Sequence, residues 1–127
     1  MDPIQDIKHL YETIYEHQPK CRYDGGPRFL SSEISNSRMV MMEEELFEYH
    51  QAIHEHDLEG ALDALIDLMV FVSGTAYLHG FSEIFEKAWY RVQTANLKKF
   101  AGNKNRGTDC DMVKPDDWEP PSFKDLL

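Results

Sequence analysis

The longest apolar stretch of this 127-residue chain, residues 61–78, contains two aspartates, Asp63 and Asp67, one helical turn apart. Their neighbours Leu62, Ala64, Leu65, Ile66, Leu68, Met69 and Val70 would surround them on a helix. A carboxylate taken into an apolar interior costs several kcal/mol unless it is paired, hydrogen-bonded or bound to a metal. The stretch therefore predicts a helix whose acidic residues hold a divalent cation; the other solution is an aspartate bonded to an arginine or to backbone amides. A second acidic group, Glu45 and Glu48, lies in the preceding segment, Met42–Tyr49. Taken alone, Glu43, Glu44, Glu45, Glu48 and Glu55 read as a solvated helix face.

Length suits one domain with one core. A net charge of −10 argues against a general nucleic-acid or anionic-membrane binder, which needs an excess of Lys and Arg. Small anionic ligands stay possible, because a bound metal reverses the local sign. Cys21 and Cys110 fall in expected loops and suggest no disulfide framework, which fits a reduced, cytoplasmic setting. Residues 1–9 are polar, so no signal peptide is expected. With Asp63, Asp67, Ser73, Gly74 and Thr75 inside it, 61–78 reads as a core helix and not a membrane span.

Helical periodicity organises the rest. Asp2 caps and Pro3 starts a first helix with Ile4, Ile7, Leu10, Tyr11 and Ile14 on one stripe, running to about Glu16. Pro19, Gly25, Gly26 and Pro27 mark a loop over 18–30. Ser31 or Ser32 caps a second helix reaching about Glu55, with Met39, Met42, Leu46, Tyr49 and Ile53 at three- and four-residue spacing. Asp57 caps a third, about 58–79, stopped by Gly80; its apolar character makes it the central one. Ser82 is expected to cap a fourth, running to about Phe100. No strand is expected. The fold class is all-α: a four-helix bundle, divided as a helical catalytic domain 1–100 and an extended tail 101–127 that packs on the same domain or a neighbouring chain, with a short turn at 122–126.

At about 100° per residue, Glu45 and Glu48 stand about 60° apart on helix two, and Asp63 and Asp67 about 40° apart on helix three. Antiparallel packing across the short turn lets both pairs point into one space. Carboxylate oxygens suit Mg²⁺, with Mn²⁺ able to substitute. No Cys/His cluster suggests zinc. His50, His54 and His56 lack metalloprotease spacing and read as solvated or interface residues. On helix four, Phe85, Trp89, Val92, Asn96 and Lys99 share a stripe whose last turn is polar. Asn96 and Lys99 could hold a phosphate oxygen or a metal-bound water, or Lys99 could serve only the helix dipole. Lys104, Arg106 and Lys114 in the tail either close over a triphosphate or only solubilise it.

These residues, in this order, resemble the MazG-like all-α nucleoside triphosphate pyrophosphohydrolases, which include dimeric dUTPases and phosphoribosyl-ATP pyrophosphohydrolases. Glu44-Glu45-Leu46-Phe47-Glu48 is similar to the family's Glu-Glu-x-x-Glu. Asp67-Leu68-Met69 is similar to the second half of Glu-x-x-Asp. The expected Glu falls on Ala64, and Asp63 is the natural substitute, as in phage-type branches. Phe71–Ala76 followed by His79-Gly80-Phe81, the segment Thr94–Lys99, and Lys114-Pro115-x-x-Trp118-x-x-Pro121 resemble the same phage-type branch. The resemblance spans about residues 4–123.

The resemblance implies Mg²⁺-dependent hydrolysis of a nucleoside triphosphate to the monophosphate and pyrophosphate by a homodimer or homotetramer, with nucleotide bound between helices of adjacent chains and no nucleic-acid or membrane partner. It implies Glu45, Glu48 and Asp67 as metal ligands with Asp63 as a fourth, and Glu44 or a liganding glutamate as proton acceptor. Asn96 would orient a ligand or phosphate, Lys99 would pair with phosphate charge, and Arg106 and Lys114 would meet the β/γ phosphates. Tyr15, with Tyr11, Tyr23 and Phe29, would stack on the base. A purine deoxynucleotide such as dGTP is the expected substrate, in the host cytoplasm if the chain is viral. The rivals are phosphoribosyl-ATP hydrolysis and a non-enzymatic helical interaction module; a di-iron bundle is disfavoured because no inward Glu-x-x-His pair accompanies the aspartates.

Overall fold

A computed structural model describes residues 2–127. These fall into two compact units, the first ending at Ser82 and the second running Glu83–Leu127. The described residues are all-α apart from one small hairpin.

The first unit holds three helices. α1 spans Pro3–Ile14, and Asp2 caps it by accepting from the amides of Ile4 and Gln5 at 3.1 and 3.3 Å. Ile4, Ile7 and Tyr11, spaced three and four apart, are its buried face. α2 spans Ser32–His54, with Ser31 as the cap. α3 spans Leu58–Leu78, where Asp57 accepts from the Gly60 amide at 2.9 Å. Only residues 55–57 connect α2 to α3, so α3 folds back along α2. His56 makes that reversal in the left-handed region, at φ 56°.

α3 packs against both α1 and α2, which makes it the central helix of the unit. It has the length and mean hydropathy (1.6) of a membrane span, yet its buried face consists of small residues and two large anchors: Ala61, Ala64, Ser73, Gly74, Ala76, Tyr77 and Leu78. Ile7, Tyr11, Tyr77 and Leu78 form the core cluster, with Tyr15, Leu30, Ile34 and Val70 packed on it. Contrary to expectation, Asp63 and Asp67 are not surrounded by apolar packing. Leu62, Leu65, Ile66 and Met69 are exposed on this chain, Asp63 is exposed, and Asp67 is half-buried.

Gly80 ends the helix as expected, at φ 77°, with its amide on the Tyr77 carbonyl and the Phe81 amide on that of Ala76. The 18–30 loop is tied to this end of α3. Tyr23 donates its amide to the Tyr77 hydroxyl at 2.8 Å, and Arg28 donates from Nε to the Leu78 carbonyl at 3.0 Å. A short 3-10 turn, Pro19–Cys21, lies within that loop.

The second unit begins with α4, Phe85–Asn96. It is shorter at both ends than periodicity suggests. Ser82 makes no cap; Ile84 precedes the helix without a side-chain bond to it. Beyond Asn96 the chain turns and Phe100–Gly102 (β1) pairs antiparallel with Asp111–Val113 (β2), Phe100 opposite Val113. No strand was expected there. The pairing is fixed from the turn: Asp111 accepts from the Lys104 amide and from Arg106, and Asn105 and Gly107 take positive φ. The tail is tied to α4. Trp118 donates Nε1–H to the Ala95 carbonyl at 2.7 Å, and Arg91 grips Asp125 through two 2.7 Å bonds. A last 3-10 turn covers Lys124–Leu126.

Candidate metal centre

The α2–α3 hairpin places acidic side chains of both helices side by side. Glu45 and Glu48 from α2 and Asp67 from α3 each bring a carboxylate oxygen within 4.8 Å of the others. Metal–oxygen contacts of hard divalent ions run from about 2.0 to 2.6 Å, so two oxygens on one ion lie up to roughly 4 to 5 Å apart. The cluster has the span and the donor type for such an ion.

Its electrostatics point the same way. The Glu45 carboxyl is pushed up to about 7, first by burial, then by the Glu48 carboxyl beside it, and then by the charges of Asp67 and Asp63. Burial, followed by Asp63 and Glu48, raises Asp67. Oε2 of Glu45 is buried without a hydrogen-bond partner, and among the described residues no ion pair reaches Glu45, Glu48 or Asp67. Three carboxylates held together, one with an oxygen sealed from water and unsatisfied, form a site that could hold a cation.

Asp63 is not one of the three, although its charge is felt by both Glu45 and Asp67. Glu44 points elsewhere. With Val40, Glu43, Phe47 and Glu48 it lines an open depression of about 330 Å³ along α2, and Glu48 alone belongs to both features.

The four aromatic residues expected at the base fare differently. Tyr11 is 3% exposed and is committed to the core, edge-on to Tyr15 and Tyr77. The Tyr23 ring is covered by the Arg28 guanidinium, 3.4 Å from its centroid. Tyr15 is half-buried, while Phe29 is 97% exposed.

Asn96, Lys99, Arg106 and Lys114 belong to the second unit. Asn96 is the last residue of α4 and half-buried. Arg106 is paired with Asp111 at 2.6 Å, and that bond holds the aspartate below its usual range. Lys99 and Lys114 both lie against the Trp118 ring.

Sequence reasoning missed Arg38. It is 5% exposed and joins all three helices of the first unit. It donates from Nε to the Thr75 hydroxyl at 3.0 Å, and from Nη2 to the Tyr11 hydroxyl at 2.8 Å and the Phe71 carbonyl at 3.1 Å. Its partners lie 27 to 37 positions away in the chain, so no local pattern marks it. Gly74 admits this junction, since a Cβ there would strike the Tyr11 hydroxyl and the Arg38 guanidinium.

The phosphoribosyl-ATP pyrophosphohydrolase family model matches residues 7–96, a span that includes both helices of the carboxylate cluster. The chain belongs to this family, which lies within the MazG-like all-α nucleoside triphosphate pyrophosphohydrolase superfamily. It is a pyrophosphohydrolase acting on the phosphoanhydride of nucleoside triphosphates or their derivatives, a class typically dependent on divalent metal. No curated protein matches the chain.

Proposed function

We propose that this protein hydrolyses a nucleoside triphosphate to the monophosphate and pyrophosphate with Mg²⁺ held by Glu45, Glu48 and Asp67. The observation that carries the reading is the sealed, unpartnered Oε2 of Glu45 inside a three-carboxylate cluster. A bound Mg²⁺ would neutralise phosphate charge and acidify water. The chain's own residues do the rest. The three carboxylates fix the ion from two helices whose relative position is set by a short turn, and Asp63 adds negative potential beside them. One of the liganding glutamates accepts the proton of the attacking water, Glu44 lying outside the cluster. Tyr15 and the exposed Phe29 are assigned to the base.

The substrate proposed is a purine deoxynucleotide such as dGTP, on the resemblance of the Lys114–Pro121 tail to phage-type enzymes, with the cytoplasmic nucleotide pool as its source. Association is part of the reading. Leu62, Leu65, Ile66, Met69 and Val72 on α3, with Phe47 on α2, are large apolar residues at 44–62% exposure. A second copy of the chain, in a homodimer or homotetramer, is the proposed cover for them.

Pyrophosphate release across all common NTPs and dNTPs, with Mg²⁺, Mn²⁺ and EDTA, tests this. Turnover of dGTP that requires the metal is the expected result; metal-independent turnover, or none on any nucleotide, would remove it. The family match favours a second substrate, phosphoribosyl-ATP, and including it in the panel decides between the two.

A further inference from the structure

The α2–α3 hairpin is closed by hydrogen bonds at both of its ends. At one end is the turn at residues 55–57, where the Asp57 amide donates to the Ala52 carbonyl at 2.8 Å. At the other is Arg38. Among the described residues, every side-chain hydrogen bond from α2 to α3 starts on this guanidinium: Nε to the Thr75 hydroxyl at 3.0 Å, and Nη2 to the Phe71 carbonyl at 3.1 Å. Glu45, Glu48 and Asp67 lie along the stretch between the two closures. Asp67 is one turn, about 6 Å, from Phe71, and Glu45 is two turns, about 10 Å, from Arg38.

A carboxylate cluster on two helices is sensitive to how those helices are aligned. Ligand oxygens must fall within about 0.2 Å of their ideal distances to an ion. Sliding one helix along the other by a single residue moves its side chains about 1.5 Å. Apolar burial is non-directional, and the buried residues of α3 just before Asp67, Ala61 and Ala64, are small, so packing alone gives the axial position little definition. The turn brings the arms together but leaves them free to slide further along. Before an ion arrives, the three carboxylates also repel one another across the hairpin.

Arg38 is built to resist both movements. It is 5% exposed and forms no ion pair among the described residues. Its partners are neutral: the Thr75 and Tyr11 hydroxyls, the Phe71 carbonyl and the Met41 sulfur. A buried cation without a counter-charge is a costly way to stabilise a core, where an apolar side chain of similar volume serves as well or better. What the planar guanidinium adds is direction, because its donors leave at fixed angles. The acceptors are oriented too, since the Thr75 hydroxyl donates to the Phe71 carbonyl at 2.7 Å.

We propose that Arg38 is a positioning residue for the carboxylate cluster: its bonds to Thr75 and Phe71 set where Asp67 stands along α2, and so the span that Glu45, Glu48 and Asp67 offer a divalent ion. Arg38 itself touches neither ion nor substrate. That a metal senses this span rests on the reading of the cluster given above; the span itself does not.

Calorimetry with Mn²⁺ on the full-length protein, without nucleotide, separates positioning from plain stability. Thr75→Val removes the acceptor for Arg38 on α3, and Tyr11→Phe removes its acceptor on α1; both should lower the melting temperature. Thr75→Val and Arg38→Lys should also weaken Mn²⁺ binding about 10- to 100-fold, the range seen when a group that orients a metal ligand is lost. Tyr11→Phe should leave Mn²⁺ binding unchanged. Equal weakening in Thr75→Val and Tyr11→Phe, or none in Thr75→Val and Arg38→Lys, would overturn the role. Wild-type protein that binds no Mn²⁺ would instead sink the metal reading. Crystal structures of the metal-free proteins then decide the positioning by themselves: the Glu45 and Asp67 oxygens should stand further apart in Thr75→Val than in wild type, and an unchanged separation would overturn the proposal.

Discussion

Glu45 of α2 and Asp67 of α3 are 22 positions apart in the chain, yet they bring carboxylate oxygens within 4.8 Å of each other and of a Glu48 oxygen. Nothing among the described residues neutralises them. This one relationship generates most of what can be measured on the protein.

Replacing Asp67 with Asn removes one proposed ligand and one charge while keeping the side chain's size. Changes to groups that merely orient a metal ligand cost 10- to 100-fold, so loss of the ligand itself should lower metal-dependent pyrophosphate release by at least about a hundredfold. In EDTA the melting temperature should hold or rise, because a repulsive contact is gone. A folded Asp67→Asn protein with full turnover would exclude the cluster as the working site.

Stability of the metal-free protein should fall as pH rises from about 5 to about 7.5. The Glu45 carboxyl is raised in the folded chain to about 7 from an ordinary value of 4.5, and Asp67 is raised too. A raised carboxyl contributes stability that is fully present below its unfolded value and is lost as pH passes through the folded one. Thermal melts in EDTA across that window should show the decline, and Glu45→Gln should flatten it. Saturating Mg²⁺ should offset it, because the ion binds the deprotonated form.

Arg38→Ala should destabilise the first unit by about 2–4 kcal/mol, since it leaves a cavity and deprives the Tyr11 hydroxyl of its donor in the core. Tyr11→Phe should cost less, about 1–2 kcal/mol, because it removes one bond of the several Arg38 makes. Urea unfolding measures both. Equal, near-zero effects would mean the junction is not what holds α1 to the hairpin.

Gly74→Ala tests the same junction from α3. In an open helix this change stabilises by about 1 kcal/mol. Here the new methyl meets the Tyr11 hydroxyl and the Arg38 guanidinium, so the net effect should be destabilising by about 1–3 kcal/mol. A higher melting temperature for Gly74→Ala would show that these groups move aside freely.

Where the structure depends on local signals, it could be read from the sequence. Asp2, Ser31 and Asp57 cap the helices they precede, and Gly80 ends α3, because each effect is confined to a few neighbouring residues. The Glu45–Glu48–Asp67 convergence was also legible, since helical spacing and a short α2–α3 turn suffice to produce it. Other features depend on partners remote in sequence. Asp63 and Asp67 differ by only about 40° on one helix, and spacing alone cannot say which of them reaches the α2 carboxylates. Arg38 reads as one more polar residue until Tyr11 and Thr75 are seen to meet it. The β1–β2 pairing of three residues each has no useful alternation; Asp111 gathering the Lys104 amide and Arg106 is what closes it. The exposed side of α3 was read as buried because an apolar sequence does not say whether its cover comes from the same chain or another.

The turn at residues 55–57 gives the carboxylate cluster one more property. Glu48 and Asp67 sit on opposite arms of the α2–α3 hairpin, so an ion gripped by both would close a ring through that bend. Chain entropy would then be restricted much as it is by a covalent staple, and the amides inside the ring should exchange more slowly whenever the ion is present. Chelation would unfasten the arms without breaking any bond in the backbone.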